Sequence, residues 1–403
     1  MCSEGGAMVD ITRMIFLTTL GALILSSCGP VQSSKPCPMA PSDETIGWDL
    51  PKVDKAFRFA CEMGTTTLII VTDGKVVRSM GDVTVPYNVH SVRKALLSAL
   101  VGQHTGKGPH QIDMESTLAE LNIDDDPYPL NDLQKQAKVL HLIKSVSGIN
   151  HPAAAEAGLM QKDKDRRLGK KPNIPGAKWA YNNWDYNALT TIFMQETGLS
   201  IYQAFKQGIV DQLGMQDFGK DSVTLEYESA LSRHPKAGFK MSARDLAKFG
   251  QLYLNKGKWN GKQIIPEEWV GRITDDYTVT GKELLRSGHG YLWWVPIDEK
   301  AREMGIPDGT IVATGFGSQR IVVIPRWNTV IVHQVNVIDC IVSVMQAHET
   351  SFKGAVVRLY LCRYPFFSLR EECRECGFVA NFMTSGFIEI LSKIIDARLP
   401  GDF

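Results

Sequence analysis

The spacing of apolar residues changes twice along the chain. Between residues 65 and 81, two β-branched runs flank Asp73-Gly74, which predicts a β-hairpin. From residue 91 to about 285, apolar residues recur at three- and four-residue steps in segments that stop at glycine, a pattern typical of helices. Three of these segments open on residues that commonly cap helices: Asn131, Ser200 and Ser242. Strand-like runs then return: residues 288–297, 319–327 and 329–338.

The early and late strands are expected to share one sheet, because a two-stranded hairpin is barely stable alone. The pattern therefore predicts an α+β fold with an antiparallel sheet built from both ends of the chain, flanked by helices, and a mostly helical domain inserted. The sheet domain is expected in residues 46–94 and 286–403, the helical domain in 95–285, and the active site at their interface. Residues 339–385 match no pattern that we recognise, and a last helix is expected in 385–401.

The first 28 residues have the layout of an export signal. An uncharged run after Arg13 is too short to span a bilayer and ends in Leu25-Ser26-Ser27-Cys28. This resembles a bacterial lipoprotein signal, which implies lipidation of Cys28; a plain cleaved signal or a membrane anchor are the alternatives. Residues 29–45 are rich in Pro and Ser and are expected to form a flexible tether. The expected location is the bacterial cell envelope facing the periplasm, and Gly29 favours the outer membrane.

Composition excludes some functions. The 403 residues contain 44 Lys+Arg and 44 Asp+Glu, so nothing favours nucleic acid as a partner. Cys373 and Cys376 have C-x-x-C spacing, but no second ligand pair lies beside them. A local disulfide or free thiols are expected there, and neither they nor Cys362 receive a role. No metal, cofactor or protein partner is expected. The charged run 163–171 is expected to be a solvated loop.

Ser91 and Lys94 are candidate catalytic residues. Three residues apart on a helix, they share a face, so the Lys94 amine can lie beside the Ser91 hydroxyl. A lysine can activate a serine only if its surroundings lower its pKa from about 10.4. Partial burial and the positive end of the helix dipole both favour this. The alternative is that Ser91 caps the helix and Lys94 faces water; Arg93 is given no role.

A second candidate is the tyrosine of Tyr181-Asn182-Asn183, at a loop-to-helix junction. A phenol in a cleft can act as a base for a serine if a nearby lysine ammonium lowers its pKa from about 10. The alternative is that Tyr181 packs in the core and Asn183 caps the next helix.

Five segments together resemble the serine β-lactamase and penicillin-binding-protein superfamily, most closely the class C β-lactamase-like hydrolases, which include esterases and 6-aminohexanoate-dimer hydrolases. The resemblance covers about residues 60–336 and implies that Ser91 is the acylated nucleophile, Lys94 its proton partner and Tyr181 the general base. It further implies that Asn183 holds the substrate or Lys94, and that the backbone N–H groups of Ser91 and Phe316 form the oxyanion hole. The segments are SVRKALLSALVG, YNNWDYNALTTIFMQETG, FKMSARDLAKFGQLYLNKGKWNGKQIIPEEWV, GYLWWV and ATGFGSQRIVVIP.

The third motif departs from the family pattern. Lys-Thr-Gly or His-x-Gly is usual there, whereas this chain has Ala313-Thr314-Gly315. Because Ala313 cannot bind a substrate carboxylate, an ester or small amide without that group is favoured. Arg320 could replace the lost charge, although a surface ion pair is favoured for it. The remaining expected substrate-binding residues are Thr314, Gly315, Tyr291 and Trp293.

The resemblance thus implies a serine hydrolase that acts through an acyl-enzyme on a small-molecule ester or amide. The alternatives are a β-lactamase, a D-alanyl-D-alanine carboxypeptidase, or a catalytically silent penicillin-binding-type sensor, and a β-lactam remains an alternative substrate. The membrane is the one expected macromolecular partner, through a lipid on Cys28.

Overall fold

A nine-stranded antiparallel sheet dominates the fold in the computed structural model, which describes residues 39–40, 47–156, 158–336 and 384–400. The strands of the described residues are β1 (Met39–Ala40), β2 (Thr67–Thr72), β3 (Lys75–Met80), β4 (Tyr87–Asn88), β5 (Val223–Glu228), β6 (Ser232–Met241), β7 (Lys258–Trp259), β8 (Lys262–Gln263), β9 (Thr278–Val279), β10 (Gly288–Gly290), β11 (Trp293–Val295), β12 (Ile311–Gly315), β13 (Gln319–Ile324) and β14 (Thr329–Gln334).

Helices pack on the sheet and recur through the middle of the chain. Those of the described residues are α1 (Leu50–Glu62), α2 (Arg93–Gln103), α3 (Val139–Ile143), α4 (Gly158–Leu168), α5 (Asn183–Thr197), α6 (Ile201–Phe205), α7 (Asp211–Leu213), α8 (Ala243–Leu254), α9 (Glu267–Asp275), α10 (Glu299–Glu303) and α11 (Thr384–Ile395).

The two ends of the chain meet in the middle of the sheet. The strand order is β1-β3-β2-β14-β13-β12-β11-β10-β9, and β14 pairs with β2 from Thr329↔Thr72 to Gln334↔Thr67. The predicted α+β fold, with one antiparallel sheet built from both ends, is confirmed. The predicted hairpin is also confirmed: Asp73 and Gly74 take φ of 51° and 76°, the left-handed values that a tight two-residue turn requires.

The region expected to be helical also contains the strands β5 and β6, which form a second sheet with β4 in the order β4-β6-β5. The sequence interpretation missed it, although Val223, Leu225 and Tyr227 alternate with polar residues in β5, the period of a strand rather than a helix. Beside it, Ser200 and Ser242 cap α6 and α8 as predicted, by accepting the backbone N–H of Gln203 and Asp245.

The prediction of a long helix after Asn131 is wrong. Asn131 accepts the N–H of Gln134 at the start of a single 3-10 turn, and only the short α3 follows. The chain between them bonds to a neighbouring loop, because the N–H of Leu118 donates to the carbonyl of Ala137 at 2.8 Å. This backbone pairing replaces the helical hydrogen bonds.

The predicted tether 29–45 is partly wrong, because Met39 and Ala40 form β1 and pair with Met80 and Ser79. The expected last helix is confirmed as α11, which packs on α1 with the Lys393 ammonium 4.7 Å from the Phe59 ring.

The predicted signal with Cys28 lies outside the described residues, as do Cys362, Cys373 and Cys376. In the described part of the chain, no helix has both the length and the apolarity needed to cross a membrane.

Helix α2 lies at the centre of the core and is buried along almost its whole length. It lacks the polar face of a surface helix, so even Arg93 and Lys94 in its first turn are only 3% exposed. The helix therefore fixes what lies at its N-terminus, where the candidate site is found.

Candidate active site

Ser91 lies on a tight turn between strand and helix. The 3-10 turn His90–Val92 leads directly into α2, and His90 has φ of 47°, a left-handed conformation. The His90 N–H is held by Asn88 Oδ1 at 2.9 Å. Among the described residues, Ser91 caps no helix; its hydroxyl instead accepts a hydrogen bond from Lys94 Nζ at 2.8 Å. The interpretation of Ser91 as a helix cap is therefore wrong.

Lys94 is held in surroundings that disfavour its charge. Burial lowers the pKa of Lys94 well below its usual value, and the neighbouring charge of Arg93 lowers it further. The amine lies 4.8 Å from the ring centre of Tyr181 and 4.9 Å from that of Tyr186. Arg93 therefore has an electrostatic role that the sequence interpretation did not assign. A neutral amine beside a serine hydroxyl can accept its proton.

Tyr181 precedes α5, and its neighbour Asn182 fixes the junction. Asn182 accepts the Trp184 N–H at 3.1 Å and donates to the Ile149 carbonyl at 2.8 Å, so Asn182 and not Asn183 caps this helix. The Tyr181 ring stacks on Trp294 with centroids 5.7 Å apart and an interplanar angle of 14°. Its ring lines the same cavity as Ser91, and the nearby Ser91 hydroxyl acts to lower the pKa of its phenol.

The phenol of Tyr181 is protonated at neutral pH. Burial raises the pKa of Tyr181 to about 12, although the nearby hydroxyl of Ser91 and the charges of Arg93 and Arg286 oppose this. The expectation that a lysine ammonium lowers this pKa is wrong, because burial disfavours both a phenolate and an ammonium here. The pair therefore consists of a phenol that can give a proton and an amine that can take one.

The end of β12 lies against the turn that carries Ser91. A Cβ atom added to Gly315 would lie 2.4 Å from the Val89 carbonyl oxygen and 3.2 Å from the Ser91 nitrogen, so only glycine fits there. Phe316 follows directly, with its ring 5.4 Å from that of His90. The backbone segments of the two expected oxyanion donors, Ser91 and Phe316, are thus neighbours in space.

These residues line a cavity of about 250 Å³. It brings together five of the predicted residues, with Lys94 directly behind Ser91: Ser91, Tyr181, Thr314, Gly315 and Phe316. The part of the chain that the structure describes contains no group of three or more His, Cys, Asp or Glu that could hold a metal ion.

Two of the predicted residues lie just outside the cavity. Ala313 is 2% exposed and packs in the core, because alternate residues of β12 face opposite sides and Thr314 takes the cavity side. Asn183 is buried and donates a hydrogen bond to Met160 Sδ at 3.6 Å. Met160, rather than Asn183, therefore lines the cavity.

The two predicted aromatic residues lie elsewhere. Trp293 is buried in the core and stacks on Phe249, with centroids 6.3 Å apart, and its neighbour Trp294 forms the cavity wall instead. Tyr291 borders a separate cavity of about 360 Å³ beside Trp269. The placement of both residues in the cleft is therefore wrong.

Charged residues that the sequence interpretation missed line the same cavity. Asp163 belongs to α4 and bonds to Lys282 at 3.0 Å, so the expectation of a solvated loop over 163–171 is wrong there. Arg320 is not in a surface ion pair: it is 6% exposed and its Nη1 donates to the carbonyls of Gly315 at 3.0 Å and Gln319 at 2.9 Å. The sequence does contain a signal for the burial of Arg320, because this arginine lies in a largely apolar strand. The lining residues not predicted as site residues are Met160, Asp163, Lys282, Leu285, Arg286, Trp294, Gly317, Ser318 and Arg320.

Comparisons with known proteins agree with the fold. The sequence model of the Beta-lactamase family matches residues 54–337. A protein from Bacillus anthracis described as a 6-aminohexanoate-dimer hydrolase superposes with a TM-score of 0.50 at 21% identity, over 68% of this chain and 74% of its own. An octameric penicillin-binding protein homologue from Pyrococcus abyssi superposes with a TM-score of 0.52 at 18% identity, over 72% and 73%.

Sequence relatives are distant. An uncharacterized protein from Alkalihalophilus pseudofirmus is 27% identical over 177 residues, which make up 40% of this chain and 53% of that protein. The chain thus matches about half the length of that relative. At these identities the solved structures show a shared fold, and they do not identify a substrate for this chain.

Proposed function

Since the chain belongs to the β-lactamase family and has its α+β, transpeptidase-like fold, we propose that it is a serine hydrolase that forms an acyl-enzyme on Ser91. Members of this family are generally serine hydrolases that act on small molecules such as β-lactams or amides. The proposed substrates are esters or small amides. One observation carries the proposal: Lys94 Nζ lies 2.8 Å from Ser91 Oγ, and Tyr181 lines the cavity beside the same serine.

In the first half of the reaction, Ser91 Oγ attacks the substrate carbonyl carbon while its proton passes to the neutral amine of Lys94. The negative charge that develops on the carbonyl oxygen is stabilised by the backbone N–H groups of Ser91 and Phe316. The Tyr181 phenol then gives its proton to the leaving oxygen or nitrogen as the bond to the carbonyl carbon breaks. The Lys94 ammonium returns a proton to Tyr181.

In the second half, water attacks the acyl-enzyme and the ester bond to Ser91 Oγ breaks. Lys94 takes the proton of the attacking water and gives it to Ser91 Oγ as the acid leaves. The free enzyme is restored with Lys94 neutral and Tyr181 protonated, the states that burial favours.

The proposal is tested with the purified full chain, p-nitrophenyl butyrate and a chromogenic cephalosporin. The ester is expected to be hydrolysed, and a mass increase equal to the acyl group is expected on Ser91. Ser91→Ala is expected to lower kcat/KM by at least about 10³-fold. The matched control is Ser98→Ala, because Ser98 lies on the same helix α2 and bonds to Trp269 outside the cavity.

Each outcome discriminates between the candidates. Turnover of the cephalosporin rather than the ester identifies a β-lactamase, and a stable adduct on Ser91 without turnover identifies a sensor. If neither substrate turns over and no adduct forms on Ser91, the hydrolase proposal fails. Equal loss in the Ser98 and Ser91 variants would also contradict it, because the effect would then be structural.

A further inference from the structure

A second cavity of about 360 Å³ lies apart from the one beside Ser91, and the described residues that line the two cavities have no member in common. Its wall includes Gly102, near the end of α2, whereas Ser91 precedes the start of that helix. The 11 residues of α2 therefore separate the two cavities by about 16 Å along the helix axis. Cavities that bind small molecules usually have volumes of about 300–1,000 Å³, so this one is large enough for a ligand of its own.

Two aromatic side chains form one wall of this second cavity. Trp269 and Tyr291 are 4% and 1% exposed, and their rings meet at 88° with centres 4.9 Å apart. Their polar atoms are bonded to other residues: Trp269 Nε1 donates to Ser98 Oγ at 3.3 Å, and the Tyr291 hydroxyl donates to the Asp276 carboxylate at 3.2 Å. The two rings therefore offer the cavity their carbon surface. The apolar side chains that join them in the lining are Met114, Leu140 and Pro266.

Every charged side chain in this lining already has a partner of opposite sign among the described residues. The pairs are Asp113 with Lys107 at 3.5 Å, Glu268 with Arg272 at 2.6 Å and Glu115 with Lys138 at 2.7 Å. Each of these side chains is at least 29% exposed, so water also reaches them. An ionised ligand would find no unpaired charge here and would lose its hydration, whereas an uncharged ligand would not incur this cost.

The turn that carries Tyr291 connects this cavity with the catalytic residues. Tyr291 and Leu292 join β10 to β11 with φ of 47° and 69°, left-handed values that are strained for side chains of this size. Three residues after Tyr291, Trp294 lies on β11 and stacks on Tyr181, with the ring centres 5.7 Å apart. A ligand that presses on Tyr291 can therefore move a strained turn, and with it the support of Tyr181.

We infer that this second cavity binds an uncharged small molecule with a flat aromatic ring system, and that its occupancy slows the reaction at Ser91. A flat ring fits the corner between Trp269 and Tyr291, because aromatic rings attract one another both when stacked and edge to face. The reaction is slowed because proton donation by Tyr181 depends on the position of its ring, which Trp294 supports. Binding does not depend on the proposed function, whereas the effect on the reaction rests on it.

Calorimetry with the full chain tests the site and the chemical class of its ligand. The probes share one ring system and differ in charge: 2-acetylnaphthalene is neutral, 2-naphthoate is an anion and 2-naphthylmethylammonium is a cation. The neutral probe is expected to bind Ser91→Ala with one-to-one stoichiometry and a Kd at least about tenfold lower than that of either ion. Equal or tighter binding of an ion would overturn the proposed class, and no binding of the neutral probe would overturn the site.

Leu140→Trp locates the bound probe. Leu140 lines the cavity and is half-buried, so a larger side chain would fill part of the space, and binding is expected to weaken at least about tenfold. Leu254→Trp is the matched control, because Leu254 is also half-buried but lies outside both cavities. Circular dichroism checks folding, and Met114→Phe replaces Leu140→Trp if that variant does not fold. Unchanged binding in the cavity variant would place the probe elsewhere and overturn the inference.

Ester hydrolysis tests the effect on the reaction. Saturating 2-acetylnaphthalene is expected to lower the kcat for p-nitrophenyl butyrate by at least about fivefold, and excess ester is expected not to reverse the loss, because probe and ester occupy different cavities. The loss is expected to disappear in Leu140→Trp and to persist in Leu254→Trp.

The remaining outcomes separate this inference from the proposed function. Inhibition that excess ester reverses would place the probe beside Ser91 and overturn the second site. Binding without a change in kcat would reject the effect on the reaction. If the ester is not hydrolysed at all, the hydrolase proposal fails, and calorimetry still decides whether the cavity binds the neutral probe.

Discussion

Two buried side chains around Ser91 divide the acid and base roles between them. Burial lowers the pKa of Lys94 well below its usual value and raises the pKa of Tyr181 to about 12, so it favours the neutral form of each side chain. One site can hold both an acid and a base when its surroundings shift two neighbouring pKa values in opposite directions. The arrangement assigns proton acceptance to Lys94 and proton donation to Tyr181.

The pH dependence of hydrolysis follows from these directions. Activity is expected to rise with pH as Lys94 loses its proton, at a pH well below the usual lysine pKa, and then to stay level up to about pH 10, because Tyr181 keeps its proton until near pH 12. Tyr181→Phe is expected to lower kcat by about 10²- to 10⁴-fold. A pH–rate profile from pH 5 to 10 checks this; a fall in activity between pH 8 and 10 would contradict the phenol as donor.

Lys94 is expected to cost the protein stability. Because its pKa is lower in the folded than in the unfolded state, the unfolded chain binds a proton that the folded one excludes, and stability rises with pH through that interval. Lys94→Met is therefore expected to abolish hydrolysis and to raise the free energy of unfolding by roughly 0.5–2 kcal/mol at pH 7. The gain is expected to shrink toward pH 10, where the unfolded lysine also loses its charge.

Urea unfolding at both pH values measures this effect. Lys107→Met is the control, because the Lys107 side chain is 76% exposed. A stability gain that is equal at pH 7 and pH 10 would show that the effect is only apolar packing, and a loss of stability at pH 7 would contradict the prediction outright.

The sequence was a better guide to which residues meet at the site than to the protonation states of those residues. Residue spacing alone suggested that Ser91 and Lys94 share a face, since that depends only on helix geometry. The protonation of Tyr181 depends on burial and on Arg93, which spacing does not reveal. Parity along a strand explains the misplacement of Trp293, because a shift of one residue exchanges the core side for the cavity side.

At the scale of elements, the site depends on how closely β12 approaches the turn before α2. Gly315 permits that approach, and Arg320 on β13 holds its carbonyl from the other side. The paired strands thus set the distance between the nucleophile and the segment that carries the second oxyanion donor. Hydrogen-bond donors that are fixed before the substrate arrives stabilise developing charge most effectively.

Gly315→Ala is expected to separate these two segments. The added Cβ would lie 2.4 Å from the Val89 carbonyl oxygen, so the strand end must shift. We expect a loss of more than about tenfold in kcat/KM, and a loss of about 1–3 kcal/mol in the free energy of unfolding.

Ester hydrolysis and urea unfolding provide the two measurements. The control is Gly219→Ala, because an added Cβ there would have no neighbour within 4 Å. Wild-type activity in Gly315→Ala would mean that the approach of β12 to Ser91 has no catalytic importance.

Elements with a clear local period were predictable and others were not. The hairpin around Asp73-Gly74 and the helices capped by Ser200 and Ser242 follow from local chemistry. The helix expected after Asn131 does not form, because its backbone pairs with the preceding loop around Leu118. Such tertiary hydrogen bonds override local propensity and leave no mark in a short window of sequence.

At the scale of the whole molecule, the attachment to a membrane remains a prediction from the first 28 residues. When the full chain is produced in bacteria that are fed labelled palmitate, the label is expected on Cys28 and the protein in the membrane fraction. Cys28→Ala is expected to lose the label, whereas Cys37→Ala, in the predicted tether, is expected to keep it. Label that persists in Cys28→Ala would contradict a lipid anchor at this residue.

Because both ends of the chain pair in one sheet, the protein can complete its fold only after the last strands have been synthesised. The hydroxyls of Thr72 on β2 and Thr329 on β14 lie 2.8 Å apart, although 257 positions of sequence separate them. During synthesis, β2 and β3 emerge from the ribosome long before β14, and β2 must wait with one edge unpaired. Contacts over such separations form slowly. A nascent chain stopped before residue 329 would therefore hold an apolar strand edge open to chaperones, and only the last part of translation would close it.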